Sequence, residues 1–319
     1  MNDPSQTPSG VPDPAPAAPE ASPAAPEPRE PFLRRMNPVL FSLFALALIF
    51  VLYQIVGGVI TLVIARGEIT LSNVTIVRWA TLLGQLLFIL APTVWLARMR
   101  HGNLPVFFRI RVPELRHLVA TMIAVFALQQ MLQAYMVAQD MIPLPQDLQR
   151  ILDTLKKLLE ETERVLVQAN GRGEFLFVLL VVALVPAVSE ELLFRGLVQR
   201  NFEEAVGWRG PVITGIIFGL YHFNPFTLVP LVVLGVYFGF IVYRSGNITL
   251  SMSAHFFNNF IACAAVYLRL DDNFVALAPD AAPTLKLAAL NFALFAVVFV
   301  AATLYFINST GHEESGESY

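Results

Sequence analysis

The residues best placed to do chemistry lie where the chain is otherwise apolar. They are Glu190, Glu191 and Arg195 in SEELLFRG, His222 in FGLYH, and His255 and Asn259 in HFFNN. A carboxylate can take a proton from water, an imidazole can hold that water, and an amide can donate to a developing oxyanion. Together such groups suffice to hydrolyse a peptide bond without a Ser or Cys nucleophile. Ser189 adjoins the pair, but no base and orienting group are visible for it in the sequence.

The chain supplies its own controls for the paired acids. Glu160–Glu161, Glu203–Glu204 and Glu313–Glu314 stand in polar surroundings, where a solvated face explains them. Glu190–Glu191 follows the apolar run EFLFVLLVVALVPAV. A charge at the centre of a bilayer costs about 2.5–3.5 kcal/mol on insertion scales, so it is retained for a purpose. Helix geometry then separates the two acids. Glu191 precedes Arg195 by four residues, the favourable order for an ion pair within one helix. Glu190 points roughly 100° away from Glu191 and must find its partner on another helix. Of the five histidines, only His222 and His255 fall within apolar spans. Asn259 is one turn beyond His255 and shares its face, whereas Asn258 does not.

The elements that must position these groups are membrane helices. Hydrophobic residues make up 56% of the 319 and charged residues only 14%, against about a quarter charged in soluble domains. Eight spans are expected, at about 38–65, 76–97, 118–138, 174–200, 211–223, 226–243, 247–268 and 285–307, in an all-α polytopic bundle. Arginine-rich loops alternate along the chain: Arg34 and Arg35 precede the first span, Arg109 and Arg111 follow the second, Arg209 follows the fourth, and Arg244 ends the sixth. By the positive-inside rule both termini are then cytoplasmic. At 1.5 Å per residue, Glu190, His222 and His255 lie roughly 15, 16 and 12 Å from that edge, one level reached from three helices.

Ten of the 22 prolines occur within residues 1–31, and residues 1–35 read as a disordered Pro/Ala-rich tail. Residues 36–141 hold spans one to three, and 142–172 an extracytoplasmic amphipathic helix. Residues 173–270 form a core that holds all the candidate site residues, and 271–319 the last span with a polar cytoplasmic tail. A net charge of −3 with no basic stretch gives no support for a nucleic-acid partner, and the single cysteine, Cys263, excludes a disulfide framework. The expected partners are the lipid bilayer and a protein or peptide; oligomeric state is not legible.

EELLFR, FGLYH and HFFNN resemble, in order, the EExxxR, FxxxH and HxxxN/D motifs of the type II CAAX prenyl endopeptidase and bacteriocin-processing family of intramembrane proteases. The likeness covers roughly 174–268. It implies an endopeptidase whose helices enclose a water-filled cavity in a bacterial cell membrane, cleaving a prenylated protein or another membrane-associated peptide. It implies Glu190 as the base, His222 positioning the water, His255 and Asn259 facing the oxyanion, and Glu191–Arg195 bracing the site. A transporter using Glu190, His222 and His255 as a proton relay is the alternative, with a non-catalytic immunity protein a weaker one. Zinc is the one cofactor to weigh, with Glu190, His222 and His255 as its ligands. The metal-free reading is preferred, because the histidines lie on different helices and few acceptors that would hold either ring are evident nearby.

Overall fold

The computed structural model describes residues 32–270 and 284–311. Most of the expected tail, residues 1–31, lies outside them, as do His312 and the C-terminal residues beyond it. The last residues of that tail are ordered, in a helical turn Phe32–Arg35. The Arg100 guanidinium explains this by donating to the carbonyls of Leu33 and Met36 at 3.3 and 3.0 Å.

Every regular element among the described residues is helical. In chain order the main helices are α1 (Pro38–Ile64), α2 (Val74–Arg100) and α3 (Leu115–Asp140), then α4 (Gln146–Val167) and α5 (Arg172–Val206). They continue with α6 (Arg209–Tyr221), α7 (Leu228–Ser245), α8 (Ile248–Tyr267) and α9 (Leu285–Gly311). Six of them, α1, α2, α3, α5, α7 and α9, are long and apolar enough to cross a membrane. Two of the eight expected spans fall short of that standard. Helix α6 has only 13 residues, about 20 Å at 1.5 Å each, less than the hydrocarbon thickness. Helix α8 has 20 residues but spends several positions on Ser, His and Asn.

Local chemistry sets the helix ends. Asn37 accepts from the Val39 amide at 2.9 Å and Pro38 opens α1, as expected of an N-cap followed by proline. Asn247 caps α8 in the same way, through the Thr249 amide at 3.0 Å. Helix α7 stops at Gly246, whose φ of +59° favours glycine.

The outer surface is apolar, with Val63 71% and Val297 70% exposed. Lipid, not water, is the solvent for such a face. Inside, one core cluster joins α1, α2, α5 and α6 through residues such as Phe41, Leu96, Leu193 and Phe218. A second joins α3, α7, α8 and α9 through Ala124, Phe238, Ala254 and Phe306.

Helices α6 and α7 cross at a glycine seam. A Cβ on Gly219 would stand 2.4 Å from Val232 Cγ2, and one on Gly239 would stand 2.7 Å from Gln199 Oε1. Small residues at four-residue spacing let backbones approach this closely. The closeness also bares the α7 carbonyls to α5: Arg195 donates to Gly235 and Gln199 to Gly239, both at 2.9 Å. Thus α5 grips α7 with two side chains one turn apart.

Candidate active site

Four stretches within the bundle are wound as π-helix: Val51–Gly57 in α1, Gln85–Leu90 in α2, and Leu179–Leu184 and Leu192–Gln199 in α5. Such turns are rare and recur at functional sites, because the extra residue re-aims side chains. Glu190 and Glu191 occupy the short α-helical stretch between the two π segments of α5.

The two glutamates part company, as the helix geometry predicts. Glu191 and Arg195 have side chains 0% exposed and meet at 2.9 Å. The same Glu191 oxygen also receives His255 Nδ1 at 2.9 Å, so α5 and α8 are joined through a buried triad. The ionised carboxylate can only accept, which puts the His255 proton on Nδ1. The Arg195 guanidinium lies 4.5 Å from the Phe218 ring centre and 5.5 Å from that of Phe238. Cation–π contact therefore supplements the single ion pair.

Glu190 is different. Its side chain is 17% exposed, and its Oε2 stands 4.0 Å from His222 Nε2. Neither that distance nor any other gives Oε2 a hydrogen bond among the described residues. The Tyr53 and Tyr221 rings lie within electrostatic reach of the carboxylate. His222 caps the end of α6, and its Nδ1 lies 2.8 Å from the Phe218 carbonyl. A carbonyl cannot donate, so Nδ1 carries a proton, and in the neutral ring Nε2 presents its lone pair on the side of Glu190. Ser189 Oγ donates to Val185 O at 2.8 Å on its own helix.

Asn259 sits on the predicted side of α8, and its amide nitrogen donates to Val182 O at 2.9 Å in a π segment of α5. One of its two amide hydrogens is thereby used. The neighbouring Asn258 donates its amide to Asn259 Oδ1 at 3.1 Å. Acceptors that hold the imidazoles, not evident in the sequence, are present for both: the Phe218 carbonyl for His222 and Glu191 for His255. Even so, no three His, Cys, Asp or Glu side chains among the described residues are arranged to hold a metal ion. Glu190 faces His222, while Glu191 engages His255. The zinc ligand set weighed from the sequence, Glu190, His222 and His255, is not brought together in this arrangement.

The motif loop is held from several sides. Gln54 of α1 donates to Tyr221 O at 3.0 Å, and the Tyr221 hydroxyl donates to Leu46 O at 3.0 Å. Asn224 folds the loop by accepting from the Phe226 amide at 3.0 Å, and its own amide reaches Glu163 of α4 at 3.2 Å. The amphipathic helix α4 thus reaches the loop beside His222. None of its residues is buried, and Leu148, Ile151 and Leu158 stay exposed, so its apolar stripe is not pressed into the bundle.

Two residues were missed by sequence reasoning. Arg78 in α2 is 1% exposed. It donates to the carbonyls of Leu166, Val165 and Gln168 and to Glu174 Oε1 at 2.6 Å. It closes the C-terminal end of α4, where a cation suits the helix dipole. Its signal was available: an arginine inside an apolar span away from any arginine-rich loop. Phe218 was read only as a motif letter, yet its ring and its carbonyl both serve the site.

With this geometry in hand, the three motifs and the wider segment agree. Residues 172–261 match the family model described as Type II CAAX prenyl endopeptidase Rce1-like. The resemblance is therefore shown for the segment that carries Glu190, Glu191, Arg195, His222, His255 and Asn259, and it supports a membrane-embedded peptidase. No curated protein and no solved structure matches the chain.

Proposed function

We propose that this integral membrane protein is an endopeptidase that hydrolyses a peptide bond with water activated by Glu190. The observation that carries the reading is the facing pair of unshared acceptors, Glu190 Oε2 and His222 Nε2, 4.0 Å apart. That gap is too long for a direct hydrogen bond and is the separation expected of two acceptors that share one water, which donates a hydrogen to each. Both hydrogens are then committed, and the water's lone pairs point to a substrate carbonyl carbon. As the oxygen attacks, Glu190 takes the proton; as the C–N bond breaks, Glu190 returns it to the leaving amine.

The tetrahedral oxyanion needs donors. The second amide hydrogen of Asn259 is one. His255 has committed its Nδ1 proton to Glu191, so it can donate from Nε2 only as the imidazolium. The Glu191 carboxylate, already paired with Arg195, also accepts from His255 Nδ1 and so favours that form. Arg195 and Glu191 brace the site and take no part in bond-making. We assign the protease core to residues 173–270. Both termini belong in the cytoplasm on the alternation of arginines, which leaves α4 on the opposite face. All eight hydrophobic segments count as membrane passages on this reading, with α6 ending at His222 inside the bundle. The substrate is a membrane-associated peptide, a prenylated C-terminus being the form the matched family suggests.

The test is incubation of purified protein with a peptide library, with cleavage followed by mass spectrometry beside Glu190→Ala. Products from the wild type alone support the proposal. Solute counterflow without cleavage would replace it with the transport reading.

A further inference from the structure

A second polar site has a lining that includes neither Glu190 nor Glu191. Where α3 begins, α7 ends, α8 begins and α9 ends, a cavity of about 410 Å³ is lined by Arg109, Arg111 and Arg244 against one acid, Glu114, together with His117 and Asn247. Arg109 is paired with Glu203, and Arg244 donates to Ile307 O at 3.1 Å. The exposed Arg111 side chain has no partner among the described residues. His117 is only 4% exposed, and its Nε2 has no hydrogen-bond partner among the described residues. The Glu114 side chain makes no cap hydrogen bond to α3. The first amides of this 26-residue helix therefore add their dipole to the same place.

Beside the cavity runs an apolar groove of about 730 Å³ between α3 and α9, lined by Leu115, Val119, Ile123, Val297, Ala301 and Tyr305. Leu115 falls between Glu114 and His117, which line the cavity. On α9, Tyr305 of the groove is five residues from Thr310 of the cavity, roughly 7.5 Å along the helix. A cationic cup and a hydrocarbon trough are thus built on the same two helices. That is the shape of an amphiphile.

We propose that the cup holds the phosphate of an anionic phospholipid whose acyl chain lies in the α3–α9 groove. A free phosphate would share the cup's chemistry but would leave the groove unused. Basic pockets between membrane helices select acidic headgroups in this way. Residues 312–319 contain Glu313, Glu314 and Glu317 and follow directly on α9, so the chain's own terminus is the competing occupant.

The experiment uses the full chain in detergent, with native mass spectrometry counting bound dioleoyl phosphatidylglycerol against dioleoyl phosphatidylcholine. Retention should favour phosphatidylglycerol and fall about fivefold in Arg111→Ala. It should also fall in His117→Gln and in Ala301→Trp, which fills the groove, and inorganic phosphate should not displace the lipid. Arg111 is exposed, so its variant reports even if the buried His117 variant fails to fold. Equal retention by wild type and Arg111→Ala would overturn the proposal. Displacement by inorganic phosphate, or indifference to Ala301→Trp, would reassign the cup to a soluble anion. Selective phosphatidylglycerol binding that appears only after deletion of residues 312–319 would make the acidic terminus the resident ligand.

Discussion

Exchanging each glutamate of the pair for glutamine should separate catalysis from architecture. Glu191 and Arg195 are both 0% exposed in their side chains, and one Glu191 oxygen takes both Arg195 Nη1 and His255 Nδ1 at 2.9 Å. Glutamine can still accept at one oxygen, but it removes the charge paired with a buried guanidinium. Breaking a buried pair costs about 3–5 kcal/mol, which is roughly two to nearly four orders of magnitude in the folding equilibrium. Glu190 has no such partner: its Oε2 makes no hydrogen bond among the described residues. Glu190→Gln should leave stability within about 0.5 kcal/mol and lower turnover by roughly 10²–10⁴, the range of a lost general base. The assay is unfolding in mixed micelles titrated with SDS, run beside peptide cleavage on the same preparations. The expected result is an inactive Glu190→Gln whose midpoint overlays the wild type, and a Glu191→Gln whose midpoint is far lower. If Glu190→Gln unfolds as easily as Glu191→Gln, or goes on cleaving, the division of labour is wrong.

Cysteines introduced at positions 103 and 205 should label from the cytoplasm and one at 150 from the opposite side; labelling of 103 and 150 from one side would undo the eight-passage topology. Gly219→Ala puts a Cβ 2.4 Å from Val232 Cγ2 and 2.9 Å from the Val232 amide, so overpacking should cost about 1–3 kcal/mol, read as a lower unfolding midpoint. Arg78→Ala leaves the α4 terminus without its clamp, and limited proteolysis should then cut within residues 146–168 sooner than in the wild type. Elemental analysis of active, extensively chelated protein should find far less than one metal per chain, whereas activity lost on chelation and restored by zinc would require a different ligand arrangement from the one described.

Much of the candidate site was legible because a membrane makes polar residues conspicuous. Glu190, His222 and His255 stood out as ionisable groups in apolar runs, and the four-residue spacing of Glu191 and Arg195 was enough to pair them. What the sequence hid was mostly backbone. The acceptor for His222 is the Phe218 carbonyl, and the acceptors for Arg195 and Gln199 are the carbonyls of Gly235 and Gly239. No residue type announces a carbonyl bared by a glycine seam. The link between His255 and Glu191 was hidden for another reason. Arg195 was a sufficient partner in sequence, and nothing local said that one carboxylate oxygen would serve two donors. The helices were legible too, with boundaries within a few residues, save that α5 runs six residues beyond the expected Arg200.

Phe218 shows why the motif spacing takes the form it does. Four residues separate it from His222, and the i to i+4 relation lays the side chain of the second residue beside the carbonyl of the first. That carbonyl fixes the imidazole tautomer. Meanwhile the Phe218 ring meets His222 at 4.6 Å, His255 at 6.0 Å and the Arg195 guanidinium at 4.5 Å. One apolar residue therefore touches a group from each of the three motifs, α5 through Arg195, α6 through His222 and α8 through His255. It holds them without offering a donor or an acceptor of its own side chain that would compete for Glu190. A polar residue there would have to satisfy its own hydrogen bonds in a water-poor interior, and the nearest partners are the groups whose freedom the proposed chemistry requires. The aromatic ring binds the cation by its face and makes no hydrogen bond of its own to Glu190 Oε2 or His222 Nε2.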